Sequence, residues 1–264
     1  MSRIDEVFAA QRRVGRRSLA PFVVAGRPSA GALGDTLRAL ESAGASLVEI
    51  GFPFSDPIAD GPVIAEAMHK SLEGGATIAG VLDAVRAARG TVSLGLVAMV
   101  SVSIVNRIGE EAFVSAARDA GIDGCIFPDL PVEESAGLLG IVRDAGLTAS
   151  LLIAPTTPAD RAARIAEASS GFVYMIARTG ITGERGEAPE IADRVAQLRG
   201  VTDLPIACGF GISTPEQVRA VVEHADAAIV GSALVRRIEA TIDEHRDAPE
   251  AAGAFVAELA AGLG

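Results

Sequence analysis

Seven times along the 264 residues an amphipathic helix closes on a small residue or a glycine, and a short run of β-forming residues follows: "LESAGASLVEIG", "VRAARGTVSLGLV", "ARDAGIDGCIFPD", "VRDAGLTASLLIA", "AEASSGFVYMIA", "QLRGVTDLPIACG" and "VEHADAAIVGS". Most of these repeats are about 25 to 30 residues long, the size of one strand-plus-helix unit. Gly44, Gly90, Gly121, Gly146, Gly171 and Gly200 stand where a helix would end on a left-handed residue. With the opening run "SLAPFVVAG" the pattern predicts eight strands, near residues 19, 47, 94, 123, 148, 172, 204 and 227. They read as continuous apolar runs, as in a parallel sheet covered by helices. Eight such units close naturally into an α/β (β/α)8 TIM barrel. A doubly wound open sheet competes, but "AGRPSAG" is a poor match to its glycine-rich first turn. No linker or low-complexity stretch divides the chain, so residues 1–264 read as one barrel domain, with an extra N-terminal helix over 2–15 and an Ala-rich terminal helix over 249–262.

The balance of 23 Lys+Arg against 34 Asp+Glu, a net charge of -11, argues against a nucleic-acid partner, which requires a basic face. No apolar run reaches the ~20 residues that span a bilayer, and residues 1–17 do not build a signal-peptide core, so the expected location is cytoplasmic, with no membrane partner. Cys125 and Cys208 fall in predicted strands, where a small buried thiol is the usual role.

In such barrels the reactive groups lie at the carboxyl ends of strands and in the loops that follow. After strands seven and eight come "CGFGIS" and "IVGSA", which expose backbone N–H groups to an anion; with Gly183 after strand six they match a barrel phosphate cradle. Either motif alone could equally be a plain chain turn. Lys70, the sole lysine, lies in the helix after strand two, so no Schiff base forms at a strand end. His69, His224 and His245 fall in predicted helices and do not converge on a zinc ion. What remains is acid–base work by carboxylates. Glu49 shares its strand face with Leu47 and Gly51 and should point into the barrel mouth, where desolvation raises its pKa; the alternative is a structural carboxylate paired with an arginine. Asp60, in "ADGP", is either a second working carboxyl or a helix cap, and Asp56 reads as a turn or surface residue. Phe22, Ile58, Val97, Val100, Phe127, Tyr174 and Phe210 would form an apolar ring suited to a flat group attached to a phosphate.

The segments "LVEIGFPFSDPIADGPVIAEA", "DGCIFPDLPVEES", "RTGITG", "GFGIS" and "GSALV" resemble, in order and along nearly the whole chain, the α subunit of tryptophan synthase. The resemblance implies a lyase that cleaves indole-3-glycerol phosphate to indole and glyceraldehyde 3-phosphate by a retro-aldol reaction in tryptophan biosynthesis, with neither metal nor other cofactor. It implies that Glu49 protonates the indole ring at C3 and handles the glycerol hydroxyl proton, and that Asp60 accepts from the indole N–H. Gly183, Gly211, Gly231 and Ser232 would hold the phosphate, and Phe22, Tyr174 and Phe210 would line the indole pocket. Thr182 resembles the family's lid threonine, which contacts Asp60 on closure, and Asp129 the acid that steadies that lid.

The same resemblance implies a β-subunit partner, in an α2β2 heterotetramer, reached through the loop holding Pro53 to Asp56 and the loops after strands three and six. In two places the chain departs from the family's pattern. "MVSVSIVNRIG", with Val102, replaces a stretch that carries a Tyr after strand three, and "FVVAGRP" puts Val24 and Arg27 where the family has Thr and Asp. A rival expectation is therefore a catalytically weakened subunit that acts mainly as an allosteric activator of its partner.

Overall fold

The structure, a computed structural model, describes residues 2–57, 60–177, 189–209 and 211–264. Its strands are β1 (Ser18–Val24), β2 (Leu47–Gly51), β3 (Gly95–Met99), β4 (Gly124–Ile126), β5 (Thr148–Ser150), β6 (Leu152–Ile153), β7 (Val173–Ile176), β8 (Ile206–Gly209) and β9 (Ala227–Val230). All pairings are parallel, in the spatial order β5-β4-β3-β2-β1-β9-β8-β7-β6. The two ends of that order, β5 and β6, are separated only by Leu151. They are therefore two halves of one strand, and the sheet closes on itself as a barrel of eight staves. At Leu151 the N–H turns aside to Ser169 Oγ at 3.2 Å, which breaks the ladder and splits the fifth predicted strand.

The helices are α1 (Arg3–Arg13), α2 (Leu33–Ser42), α3 (Pro62–Glu73), α4 (Ile78–Arg89), α5 (Val102–Ile108), α6 (Glu110–Ala120), α7 (Ala136–Asp144), α8 (Ala159–Ala168), α9 (Pro189–Arg199), α10 (Pro215–Val222), α11 (Ser232–Asp243) and α12 (Ala248–Ala260). Both predicted terminal helices are present as α1 and α12. Gly44, Gly121, Gly146 and Gly171 have positive φ, as expected. Gly90 does not: it closes α4 at φ -70° in a right-handed turn that any residue adopts, and Gly200 is likewise absent from the left-handed residues. His224 and His245 lie in the turns just past α10 and α11 rather than inside them.

Alternation along each strand sorts the core into two layers. Val48 and Ile50 of β2 pack outward under the helices, whereas Leu47 joins Val97, Ile126 and Phe172 inside the barrel. The lower opening of that interior is filled by α1. A capping box at Ser2 and Asp5 starts this helix, and its Ile4 and Phe8 are buried against the barrel residues, with the Phe8 and Phe172 rings 5.8 Å apart. Removing two such side chains from water stabilises the fold by roughly 2 kcal/mol each. The plug fits because β4 begins with glycine: a Cβ at Gly124 would stand 2.6 Å from Ile4 Cδ1.

An ionic knot fixes α1 to the barrel floor. The nearly buried Asp226 carboxylate meets Arg199, Arg12 at 3.3 Å and Arg17 at 3.6 Å, and accepts from the Ile206 N–H at 2.9 Å. Burial alone would raise its pKa, but the Arg199 and Ile206 hydrogen bonds outweigh it and hold the carboxyl below its usual range. Among the described residues no helix is long and apolar enough to cross a membrane.

Candidate active site

Strand β2 delivers Glu49 to the upper part of the barrel interior. The residue is 1% exposed, and neither carboxylate oxygen has a hydrogen-bond partner among the described residues. No arginine pairs with it among the described residues. Burial lifts its pKa from 4.5 to about 8. An unpaired buried carboxylate is costly, and holding the proton is how such a group avoids the cost. At neutral pH Glu49 is therefore a carboxylic acid.

Around it the mouth is built from three elements. Phe22 of β1 is the register partner of Glu49 and is buried together with Val24, Ala67, Met68 and Val235, a cluster that joins β1 to α3 and α11. A Cβ at Gly51 would come within 2.7 Å of Phe22 Cε2, so the phenyl ring lies across the end of β2. Tyr174 rises from β7 toward Gly209, where a Cβ would be 3.1 Å from the phenol oxygen. Desolvation pushes the Tyr174 phenol well above its ordinary pKa, and negative charge at Glu49, Cys208 and Asp60 adds to this. The three carboxyl and phenol groups thus share one region of the mouth.

Asp60 is half-buried in the turn before α3, with its N–H donating to Pro57 O at 3.1 Å. Capping does not explain it: the N-cap is Gly61, Pro62 opens the helix, and no side chain caps α3. Burial first, and the charge of Asp129 second, raise the Asp60 carboxyl to about 6. Asp129 itself is engaged, accepting from Ser101 Oγ at 2.5 Å and from the Val102 N–H at 2.8 Å, and so fastens the start of α5.

The N-terminus of α11 opens on the same mouth. Gly231 is its N-cap with no side-chain capping bond, and the first helical residue is Ser232. Gly211, at φ +66°, takes the left-handed conformation that glycine favours. Two members of the expected apolar ring lie elsewhere: Val100 and Phe127 belong to the outer layer between strands and helices, because each follows its strand's end on the helix-facing side. Thr182, Gly183, Phe210 and Ile58 lie outside the described residues. Sequence reasoning also missed Arg194 of α9, which donates to Ile176 O at 3.0 Å and Ala154 O at 2.7 Å, joining the ends of β7 and β6.

The family model for the tryptophan synthase alpha chain matches residues 8–263. This chain belongs to the tryptophan synthase alpha chain family. A tryptophan synthase alpha chain of Burkholderia mallei is 41% identical over 265 residues, covering 100% of this chain and 97% of its own length. One from Nitratidesulfovibrio vulgaris is 41% identical over 240 residues, 90% of this chain and 93% of that one. Among solved structures, subunit alpha of tryptophan synthase from Legionella pneumophila matches with a TM-score of 0.92 at 32% identity, over 100% of this chain and 98% of the other. A chain of Mycobacterium tuberculosis tryptophan synthase matches at 0.90 and 33%, again over 100% and 98%. Set beside the tryptophan synthase alpha pattern, the departures seen in the sequence have definite places. Val24 packs in the Phe22 cluster, and Val102 uses its backbone N–H to hold Asp129.

Proposed function

We propose that Glu49 and Asp60 are the working carboxyls with which this chain carries out its family's reaction. The chain is a carbon–carbon lyase of tryptophan biosynthesis that cleaves indole-3-glycerol phosphate to indole and glyceraldehyde 3-phosphate. The observation that carries the assignment of Glu49 is its buried carboxyl, without a partner among the described residues and with a pKa of about 8, at the carboxyl-terminal part of a barrel strand.

A protonated Glu49 supplies what the first step needs. It donates its proton to indole C3, and the ring becomes an indolenine cation with positive charge shared to nitrogen. The carboxylate left behind then accepts the proton of the adjacent side-chain hydroxyl. As that oxygen becomes a carbonyl, the C–C bond to the ring breaks and its electron pair restores the aromatic indole. Glu49 ends the cycle protonated, so no other proton store is required.

Asp60 serves best as an anion. With a pKa near 6 it is ionised at neutral pH and accepts from the indole N–H, where positive charge grows during the first step. Such stabilisation is worth on the order of 3 kcal/mol. Phe22 and Tyr174 offer apolar faces to the ring, and the N–H groups at Gly211, Gly231 and Ser232 suit the phosphate, which helix α11 favours through its dipole. Thr182, Gly183 and Phe210 are proposed for the lid, phosphate and indole contacts on the resemblance alone, and Asp129 for support of that lid.

We further infer that residues 1–264 act as one domain in the cytoplasm and dock on a β subunit in an α2β2 assembly. Ser55 and Asp56, in the loop before Asp60, are exposed and available for that contact. The test is indole release from indole-3-glycerol phosphate by the isolated chain and by the chain with its β subunit. Turnover that disappears in Glu49→Gln supports the assignment. Stimulation of the partner without turnover in either case would replace it with the activator reading.

A further inference from the structure

Arg27, which stands where the family pattern has an acid, is not idle. Its guanidinium forms a two-pronged pair with Glu239 of α11, Nε to Oε1 and Nη2 to Oε2, both at 2.7 Å. The two side chains are only 16% and 13% exposed, so the pair is far better shielded than an ordinary surface bridge. Lys70 of α3 reaches the same carboxylate at 3.3 Å and bonds Glu66 at 2.9 Å. One acid on α11 thus receives one cation from the loop after β1 and another from α3.

Position gives this cluster its meaning. Glu239 lies seven residues beyond Ser232, about 10 Å along α11 from its N-terminus. Val235, one turn before Glu239, packs against Ala67 and Met68 of α3 and against Phe22 and Val24 of β1. The ionic cluster therefore sits on the outer side of that apolar contact. The loop after β1 and α3 also have a tie of their own, Ser71 Oγ donating to Ala25 O at 2.6 Å. Loss of Glu239 leaves those two joined and removes only the ionic tie that α11 makes to them, with the apolar contact of Val235 still in place. We propose that Glu239 is a positioning residue for substrate: through Arg27 and Lys70 it fixes the phosphate-facing end of α11 relative to the helix whose entrance carries Asp60.

The inference rests on the phosphate reading given above, and the experiment separates the two. Glycerol 3-phosphate is titrated calorimetrically into the full chain and into Glu239→Gln, and steady-state cleavage of indole-3-glycerol phosphate is measured for both. The expected result is a rise of about tenfold in the Kd for glycerol 3-phosphate and in KM, with kcat within about twofold. Arg27→Lys, which keeps the charge but loses the fork, gives a smaller rise in the same two quantities. If the wild-type chain binds glycerol 3-phosphate and Glu239→Gln binds it equally well with unchanged KM, the pair is structural only and the inference is wrong. If the wild-type chain does not bind it, the phosphate reading fails and takes the inference with it. Should Glu239→Gln not fold, Arg27→Lys and Lys70→Gln must still show the rise in KM, and normal values in both overturn the proposal.

Discussion

Phe22 and Glu49 stand opposite one another in the β1–β2 ladder, and the Phe22 ring extends over Gly51, two residues beyond the carboxyl. An apolar wall and a protonated acid are thereby set by the register of a single strand pair. The arrangement excludes water from Glu49, and that burial raises its pKa.

Glu49→Gln should reduce kcat by about a thousandfold or more, since proton transfer at two steps is lost. Glutamine has nearly the shape of the protonated acid, so the thermal midpoint at pH 7 should be unchanged or higher. Residual turnover within tenfold of wild type, measured as indole release, would remove Glu49 from the mechanism.

Stability should depend on pH in a defined direction. Between pH 4.5 and about 8 the folded chain retains a proton on Glu49 that the unfolded chain has released. That contribution is whole below pH 4.5 and fades as pH rises through 8. Thermal scans should therefore show Glu49→Gln gaining on the wild type as pH increases over this window; parallel curves would contradict the buried, proton-holding state.

Cleavage should be bell-shaped in kcat/KM. The acidic limb, near pH 6, reflects ionisation of Asp60 and the alkaline limb, near pH 8, deprotonation of Glu49. Because the groups share one mouth, the limbs belong to the pair as a unit. Asp60→Asn should lower activity and abolish the acidic limb, and a profile that keeps this limb assigns it to another group.

Gly51→Ala should act through Phe22. The new methyl displaces the ring or is displaced by it, costing about 1–3 kcal/mol of stability. KM for the indole substrate should rise at the same time, and normal KM together with normal stability would show that the ring moves freely.

At the other end of the barrel, Asp226→Ala should cost about 2 kcal/mol by denaturant titration, because Arg199 and the Ile206 N–H lose a shared acceptor. Turnover below the unfolding transition should be normal. A fall in kcat would show that the knot, beyond the apolar packing of Ile4 and Phe8, is needed to keep the α1 plug seated.

The strand-and-helix rhythm was legible, since it is written in local periodicity, apart from the break at Leu151 that a side-chain hydroxyl from Ser169 imposes, and the carboxyl ends of strands then indicated where to look. Glu49 was legible as an inward residue but not as an unpaired one, because freedom from a partner depends on every neighbouring strand. Asp60 was ambiguous for a local reason: "ADGP" suits a cap, and only the backbone reveals that Gly61 takes that position. Val100 and Phe127 were misplaced because a strand's alternation ceases to predict direction once the chain leaves the ladder. The Arg27–Glu239 pair, 212 residues apart, and the Asp226 knot had no signature in any short window.

The plug formed by Ile4 and Phe8 has a bearing on chemistry as well as on folding. Glu49 is kept dry from beneath by the same stack of side chains that α1 completes, so the acidity of the mouth is governed partly from the opposite pole of the barrel. A leak at the base would hydrate the carboxyl, drop its affinity for the proton, and detune the catalyst without touching a single substrate contact.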